Sequence, residues 1–374
     1  MNVCIAGVGW VTPLGSTIEE VWNQLLAGNI PPIAEVSDPL GNKSYPAYQV
    51  PPSALRNLPP HPRLRRASAI SRFAAAAGLA ALTDANLTNE HLQSKQLALV
   101  FAVANGGVIY TKRFYRDIVD SGAGSASPLL FPETVFNAAA SHVAAIIGLN
   151  GTCYTVVGDG SVGLTGIQMA EDVMSDPSVD YCLVIAAEEA DWLLCDAYQK
   201  WRLLRRQPPI EVFASPAGGT ILSEGAGAVL LARTGPVQVA ATSAGAYFAR
   251  REKAGTVLAR VLEKVGTSEN AVVIGSANGT FVDAAESSAM DKVAPSGVLY
   301  AIKGSLGEGV AAGALWQVIA GVRALTTAQM PQPQYPKRAA ADRSLAKKLT
   351  DRGELTVMSC GLNQHAGAVR LRRA

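Results

Sequence analysis

No stretch of this sequence is long and apolar enough to cross a bilayer. The best runs, residues 73–82 and 97–104, stop far short of the roughly 20 apolar residues that a helical span requires. An excess of one charge sign is also missing: 32 basic side chains face 30 acidic ones, the formal net charge is +2, and aromatic residues make up only 6% of the chain. Neither the electrostatic footprint nor the stacking surface of a nucleic-acid binder is present, so nucleic acid is not an expected partner, and no membrane span is expected. Five cysteines, none in a Cys-x-x-Cys pair, make neither a disulfide framework nor a zinc-ligand pattern. Reduced thiols, no metal and no organic cofactor are the expectation. Met1-Asn2-Val3-Cys4-Ile5 opens without a basic region, an apolar core or a small-residue cleavage site, which makes the cytoplasm the expected location.

What the chain does have is apolar bulk: 374 residues, 49% of them hydrophobic and 17% charged. Such a chain is not dominated by disorder, and its length allows about two domains. Residues 3–8 read as a short buried strand. Ser16-Thr17-Ile18-Glu19 then supplies a capping box ahead of Ile18, Val21, Trp22, Leu25 and Leu26 at helical spacing, with Gly28 as the stop. Residues 29–66 are proline-rich, end in the basic cluster Arg63, Arg65 and Arg66, and are expected to be irregular and surface-lying. An alanine-rich helix is expected over 68–85. Apolar strands at 97–104, 181–187, 228–232, 271–275, 355–359 and 368–371, with helices near 135–147 and 164–174, predict an α/β fold whose sheet is covered on both faces.

The two halves of the chain echo each other. Ala226-Gly227-Ala228-Val229-Leu230-Leu231-Ala232-Arg233 is matched by Ala366-Gly367-Ala368-Val369-Arg370-Leu371-Arg372-Arg373. Gly160-Ser161-Val162-Gly163 and Gly304-Ser305-Leu306-Gly307 each open a helical pattern at a similar distance before those strands. Coincidental glycine-rich turns would explain either pair; the shared order and spacing suggest a duplicated α/β unit.

Several segments in order now resemble one family, the β-ketoacyl-ACP synthases. They are Gly7-Val8-Gly9-Trp10-Val11-Thr12-Pro13-Leu14-Gly15, Gly148-Leu149-Asn150-Gly151 followed by 155–170, Ala186-Ala187-Glu188-Glu189-Ala190, and Ser223-Glu224-Gly225-Ala226-Gly227-Ala228. The resemblance implies an α/β fold, a thiolase-like duplicated αβαβα sandwich, with an N-terminal half over 1–233 and a C-terminal half over 234–374. Ketosynthases of this family carry a cysteine nucleophile at a buried helix N-terminus, where the dipole lowers the thiol pKa. Two histidines that bind the carbonyl oxygens and assist decarboxylation complete their site.

Each of those positions has changed. The family pattern laid on Gly151-Thr152-Cys153-Tyr154-Thr155-Val156-Val157-Gly158-Asp159-Gly160-Ser161 puts Gly160 where the cysteine belongs. The His-Gly-Thr motif corresponds to Asn278-Gly279-Thr280, and the second histidine, after a Lys-Ser-x-x-Gly run, corresponds to Glu308 in Lys303-Gly304-Ser305-Leu306-Gly307-Glu308. Lys303 is kept. None of the four histidines, His61, His91, His142 and His365, falls at either site. The Gly-Phe-Gly-Gly loop reads Gly361-Leu362-Asn363-Gln364, with Cys360 at the gatekeeper position.

Each residue also has an ordinary explanation. Asn278-Gly279 suits a turn with positive φ, Glu308 suits the start of the helix that follows, and Asp159 suits a cap for the helix after Ser161. Ser161 lacks an adjacent base, and Asp159-Gly160-Ser161-Val162-Gly163 lacks the first glycine of a hydrolase elbow. Cys4 and Cys182 read as core thiols and Cys360 as pocket lining or core. Basic clusters at Arg63–Arg66, 202–206 and 370–373 are solvated faces or contacts for an acidic partner.

A ketosynthase fold stripped at all three catalytic positions resembles a chain-length factor, the noncatalytic half of a ketosynthase pair. The implied partners are a catalytic ketosynthase, in a heterodimer, and an acyl carrier protein. Strand 181–187 is expected to pair across the twofold, and Ser161, Lys303, Cys360, Phe131 and Asn137 are expected to line the acyl tunnel or pocket. Two alternatives stay open: an acyl-thioester hydrolase or acyltransferase built from Asp159, Glu308, Asn278 and His365, or a homodimeric acyl-chain binder.

Overall fold

The computed structural model describes residues 3–39, 41–65, 67–87, 95–149, 151–331 and 353–374. Arg66, His91 and Asn150 lie outside the described residues. The strands are β1 (Val3–Val11), β2 (Ala34–Ser37), β3 (Ser44–Tyr48), β4 (Leu97–Val103), β5 (Cys153–Val157), β6 (Tyr181–Glu188), β7 (Leu222–Ser223), β8 (Gly225–Ala232), β9 (Val237–Tyr247), β10 (Val272–Gly275), β11 (Val298–Ala301), β12 (Glu354–Cys360) and β13 (His365–Arg373). The helices used below are α1 (Ile18–Leu26), α2 (Ala69–Asp84), α3 (Val108–Ser121), α4 (Ala138–Ile147), α5 (Val162–Val173), α6 (Trp192–Lys200), α7 (Ala254–Lys264), α8 (Phe281–Val293), α9 (Lys303–Leu306) and α10 (Ala311–Thr327).

Among the described residues ten strands form one sheet in the order β11-β10-β12-β13-β9-β1-β8-β6-β4-β5. Outward from the β1–β9 seam, each side presents its first strand, then its last, then its fourth, second and third. The two sides therefore share one topology, and the expected duplicated thiolase-like architecture is present. The seam itself is narrow, with Val3, Cys4 and Ile5 facing Val239, Gln238 and Val237.

Helices α2 and α4 cover one outer face and α7 and α8 the other, while α5 and α10 lie between the two sets of strands and touch both. Helix α10 is apolar almost all round and correspondingly buried, with Trp316, Leu315, Val318 and Ile319 at most 1% exposed. Its polar exceptions are bonded: the Trp316 indole N–H donates to Ala226 O at 2.9 Å, and Gln317 Nε2 donates to Met358 O at 2.8 Å. The repeated Ala-Gly-Ala-Val strings mark where the central helices meet the strands. A Cβ on Gly227 would lie 2.7 Å from Leu315 Cβ, and one on Gly367 would meet Leu164 Cδ1 at 3.4 Å. Each half's strand thus receives the helix of the other half.

Three local expectations are corrected. The N-cap of α1 is Thr17, whose hydroxyl oxygen accepts the Glu20 N–H at 3.2 Å, so the capping box is Thr17 with Glu20, one residue later than Ser16 with Glu19. The proline-rich stretch contains β2 and β3, and β3 pairs in parallel with β7 to make a small separate sheet. The Lys43 and Lys200 ammonium groups and the Tyr45 hydroxyl converge on Asp196 and dock that sheet on α6. Finally, the strand expected to pair across a twofold, 181–187, is interior: β6 is bonded to β4 on one side and β8 on the other, and it is β5 that stands at the sheet edge.

Gly227→Ala is expected to destabilise the fold by about 1–3 kcal/mol in urea denaturation, because the new methyl collides with Leu315 in a packed interior. Leu315→Gly, which removes the Cβ that the new methyl would strike, should couple to it, so that the double mutant loses less than the sum of the two single changes; an additive double mutant would count against the contact.

Candidate functional site

Strand β5 runs into Gly158-Asp159-Gly160-Ser161, and α5 starts at the next residue. The buried Asp159 carboxylate holds this elbow on two sides. Its Oδ1 accepts from the Ser161 N–H at 3.3 Å and the Ser161 hydroxyl at 3.4 Å, and its Oδ2 accepts from the N–H groups of Asn363 and His365 at 3.2 and 3.0 Å. Asp159 therefore does more than cap: it straps the 361–365 turn over the elbow. Gly361 permits the approach, since a Cβ there would fall 2.1 Å from Asp159 Oδ2. A Cβ on Gly160 would meet Gly361 Cα at 3.2 Å, Val310 O at 3.8 Å and Glu308 Oε1 at 3.9 Å.

Glu308 is the hub. Lys303 Nζ donates to both of its oxygens at 2.8 and 2.7 Å, Asn278 Nδ2 to Oε2 at 2.6 Å, and the Val310 N–H to Oε1 at 2.9 Å. All three side chains are at most 2% exposed. Thr280 fixes the amide orientation by donating its hydroxyl proton to Asn278 Oδ1 at 2.6 Å. Asn278 is thus more than a turn residue, although Gly279 does take φ +83. Glu308 is not a helix-start acid either: α10 begins three residues later, after Val310, a β-branched residue held at φ +46. Such a backbone persists only where its surroundings over-determine it, and the Glu308 contacts do so.

Two acids one helical turn apart on α8 hold the loop that carries Asn278. Asp283 accepts from the N–H groups of Asn278 and Gly279, at 2.8 and 3.0 Å to Oδ1. Glu286 accepts from Ser276 N and Oγ and from Ala277 N, at 2.6, 2.8 and 3.0 Å. Sequence reasoning missed both. The signal was there in the Asp-x-x-Glu spacing just after Asn278-Gly279-Thr280, on the first turns of an amphipathic segment.

The structure therefore gathers Gly160, Ser161, Asn278, Lys303 and Glu308 around one centre, with Cys360 against it. The Cys360 thiol is fully buried, its backbone N–H donates to Ser276 Oγ at 2.7 Å, and burial followed by the Glu286 charge pushes the thiol well above its ordinary value. It is a packing residue. Both Glu308 oxygens are occupied. The Ser161 hydroxyl, expected to lack an adjacent base, donates to Asp159 Oδ1 at 3.4 Å, and His365 Nδ1 lies 3.6 Å from that same oxygen, so Asp159 and His365 of the hydrolase or acyltransferase alternative do meet beside Ser161. No group of side chains that could hold a metal occurs among the described residues.

Phe131 and Asn137 lie elsewhere. Phe131 is 55% exposed and packs on Phe114 of α3 at 5.7 Å between ring centroids, and Asn137 is exposed at the start of α4. They belong to a surface ledge formed by α3 and the 122–137 segment, which leads into α4, the helix that touches the edge strand β5. Helix α3 buries none of its residues, although it carries Val108, Ile109, Phe114, Tyr115, Ile118 and Val119. Val119, Leu129 and Phe136 are also exposed on this ledge, as are Tyr154 and Val157 on the edge strand β5.

The interior is rich in carboxyl groups that share few cations. Burial is the first cause in each case, and it raises Glu188 to about 8 and Glu189, Glu224 and Glu286 each to about 7.

Comparison with known proteins places these features in a family context. A family profile described as "Beta-ketoacyl synthase, N-terminal domain" matches residues 1–235. The chain is 23% identical over 190 residues to 3-oxoacyl-[acyl-carrier-protein] synthase 2 of Vibrio cholerae serotype O1, covering 50% of this chain and 46% of that one. It is 24% identical over 241 residues to Nodulation protein E of Rhizobium leguminosarum bv. trifolii, covering 62% and 57%. The chain thus spans about half the length of the curated relatives it matches. Among solved structures, a β-ketoacyl synthase from Burkholderia phymatum STM815 superposes with a TM-score of 0.84 at 17% identity, over 100% of this chain and 99% of that one. The ishigamide ketosynthase/chain length factor gives 0.82 at 17% identity, over 100% and 99%. At such identities the likeness establishes the fold alone.

Two outcomes follow from the electrostatics. Glu308→Gln strands the Lys303 ammonium in the interior and should cost about 3–5 kcal/mol in urea denaturation, most of it recovered by Lys303→Met in the same chain. The four raised carboxyls bind protons more tightly folded than unfolded. Their stabilising contribution is complete below pH 4.5 and is lost as pH rises through 7 to 8, so the thermal midpoint should fall between pH 5.5 and 8.0. A flat or rising midpoint over that interval would contradict the assignment.

Proposed function

The chain belongs to the β-ketoacyl synthase family, and from that footing we propose that it is a noncatalytic ketosynthase paralogue of the chain-length-factor type. It pairs with a catalytic ketosynthase and helps shape the tunnel that holds a growing acyl chain, in type II polyketide or fatty-acid-like synthesis. The observation that carries this reading is the saturation of Glu308. Where the family pattern calls for a thiol and two imidazoles, this chain has a bare Gly160 and a Lys303–Glu308–Asn278 network with both carboxylate oxygens engaged. A carboxylate bonded four ways is a poor base, and a glycine cannot be acylated.

The ledge supports the partner part of the reading. An amphipathic helix without a buried residue beside an uncovered strand is an incomplete structure. A second ketosynthase-fold chain would complete it by adding its own edge strand to β5, in place of the interior strand 181–187. Phe131 and Asn137 would then approach the tunnel across the interface rather than from within this chain. The division into halves at 1–233 and 234–374 is part of the proposal, as is a cytoplasmic setting.

An acyl carrier protein is the expected visitor. Of the basic clusters, Arg205 pairs with Glu211 and Arg370 with Glu354, whereas Arg63, Arg65, Arg202, Arg206, Arg372 and Arg373 are exposed. Each of the three clusters therefore offers exposed arginines for contact with an acidic carrier.

Co-expression with a cysteine-bearing ketosynthase from the same source should yield a stable one-to-one complex. The isolated chain, incubated with acyl- or malonyl-carrier protein, should show no covalent acyl adduct in intact-mass measurement. A homodimer that hydrolyses or transfers acyl thioesters on its own would overturn the reading and favour a repurposed enzyme.

A further inference from the structure

The 361–365 turn that Asp159 straps over the elbow also lines a cleft of about 500 Å3, a size within the usual range of small-molecule sites. Asn363 and Gln364 line it from the turn, Trp201 from the end of α6, and Phe248, Arg250 and Arg251 from the segment after β9. Its ring surfaces are backed by other rings. Trp201 is 49% exposed and packs on Tyr198 at 5.5 Å between centroids, while the buried Phe248 packs on Phe281 at 6.3 Å.

The polar groups of the cleft are uncommitted. Arg250 and Arg251 are exposed, Arg251 lies 5.0 Å over the Phe281 ring, and neither makes an ion pair among the described residues. Glu252 is the one acid among the described residues that line the cleft, so the balance favours an anion. The carboxamides of Asn363 and Gln364 make no hydrogen bond among the described residues. Gln364 is nonetheless fixed: it takes φ +89, and its carbonyl accepts the Phe248 N–H at 2.9 Å. A side-chain-bearing residue persists in that conformation only where its surroundings over-determine it.

Three chemistries thus meet in one cavity. An exposed indole offers a stacking face to a planar base. A carboxamide presents donor and acceptor side by side, the pattern that matches the adenine edge. Guanidinium groups suit phosphate oxygens. A hydrocarbon chain would use none of the polar groups, and a bare phosphate none of the rings. We propose that this cleft binds an adenine nucleotide, its base on Trp201 and within reach of the Asn363 and Gln364 amides, its phosphates on Arg250 and Arg251. Two sources carry that chemistry, a free nucleotide and the nucleotide end of coenzyme A. The inference goes beyond the chain-length-factor reading and does not rest on it, since none of Gly160, Asn278, Lys303 and Glu308 lines the cleft.

The test is calorimetric titration of the full chain at pH 7 with adenosine 5′-diphosphate, adenosine 3′,5′-bisphosphate and inorganic pyrophosphate. At least one nucleotide should bind saturably and about tenfold more tightly than pyrophosphate, the value of one stacked base. Trp201→Ala should weaken that nucleotide about tenfold and Trp201→Phe, which keeps a ring, much less. Arg250→Gln should flatten the salt dependence of binding. A preference for the bisphosphate marks coenzyme A as the source, and equal or reversed affinities mark a free nucleotide. Saturable binding of neither nucleotide, pyrophosphate binding as tight as theirs, or an affinity indifferent to Trp201→Ala would overturn the inference. Any of these would leave the chain-length-factor reading standing, because that reading is decided by complex formation and acylation.

Discussion

The buried ion pair between Lys303 and Glu308 sets the terms for everything near position 160. Removing an ammonium and a carboxylate from water costs several kcal/mol each, and mutual attraction repays it only when the remaining donors and acceptors are also satisfied. That requirement explains the surrounding structure. The Asn278 amide completes the second carboxylate oxygen, Thr280 orients the amide, and the Val310 N–H completes the first. The left-handed Val310 is tolerated because the pair beneath it leaves the 307–310 turn no freedom to relax. A centre organised this way has both Glu308 oxygens engaged, and that saturation is what the noncatalytic reading proposed above rests on.

Small residues make this arrangement possible. Gly361 lets the Asp159 carboxylate come within bonding range of the 361–365 turn, and Gly227 lets α10 lie flat on β8 so that the 303–310 segment reaches the elbow. The acids on α8 then fix the third loop. Four separate pieces of chain, joined by carboxylates at Asp159, Asp283, Glu286 and Glu308, converge around Gly160.

Much of the architecture was legible before any coordinates. Continuous apolar strands such as 97–104 and 181–187 announce a sheet buried on both faces, and the matched Ala-Gly-Ala-Val strings announce the duplication, with Gly227 admitting the central helix α10 and Gly367 the neighbouring strand β9. Glycine, asparagine and glutamate at 160, 278 and 308, where the family resemblance implies a cysteine and two histidines, were equally visible. What composition could not convey was which partners the replacements would find. Glu308 looks like a helix-start acid in one dimension, since its bond to Asn278 spans 30 positions. The position of β6 inside the sheet was hidden for a similar reason: an apolar strand reads alike whether it has one neighbour or two. Proline-rich 29–66 misled because β2 and β3 are held by Asp196, more than 150 residues away.

The uncovered strand β5 and the ledge beside it carry an implication for the cell that makes this chain. Backbone groups along Cys153–Val157 and aromatic side chains such as Tyr154 form a ready template for non-specific strand addition. Covering that edge, whether by a second chain or by another copy of this one, would remove the template.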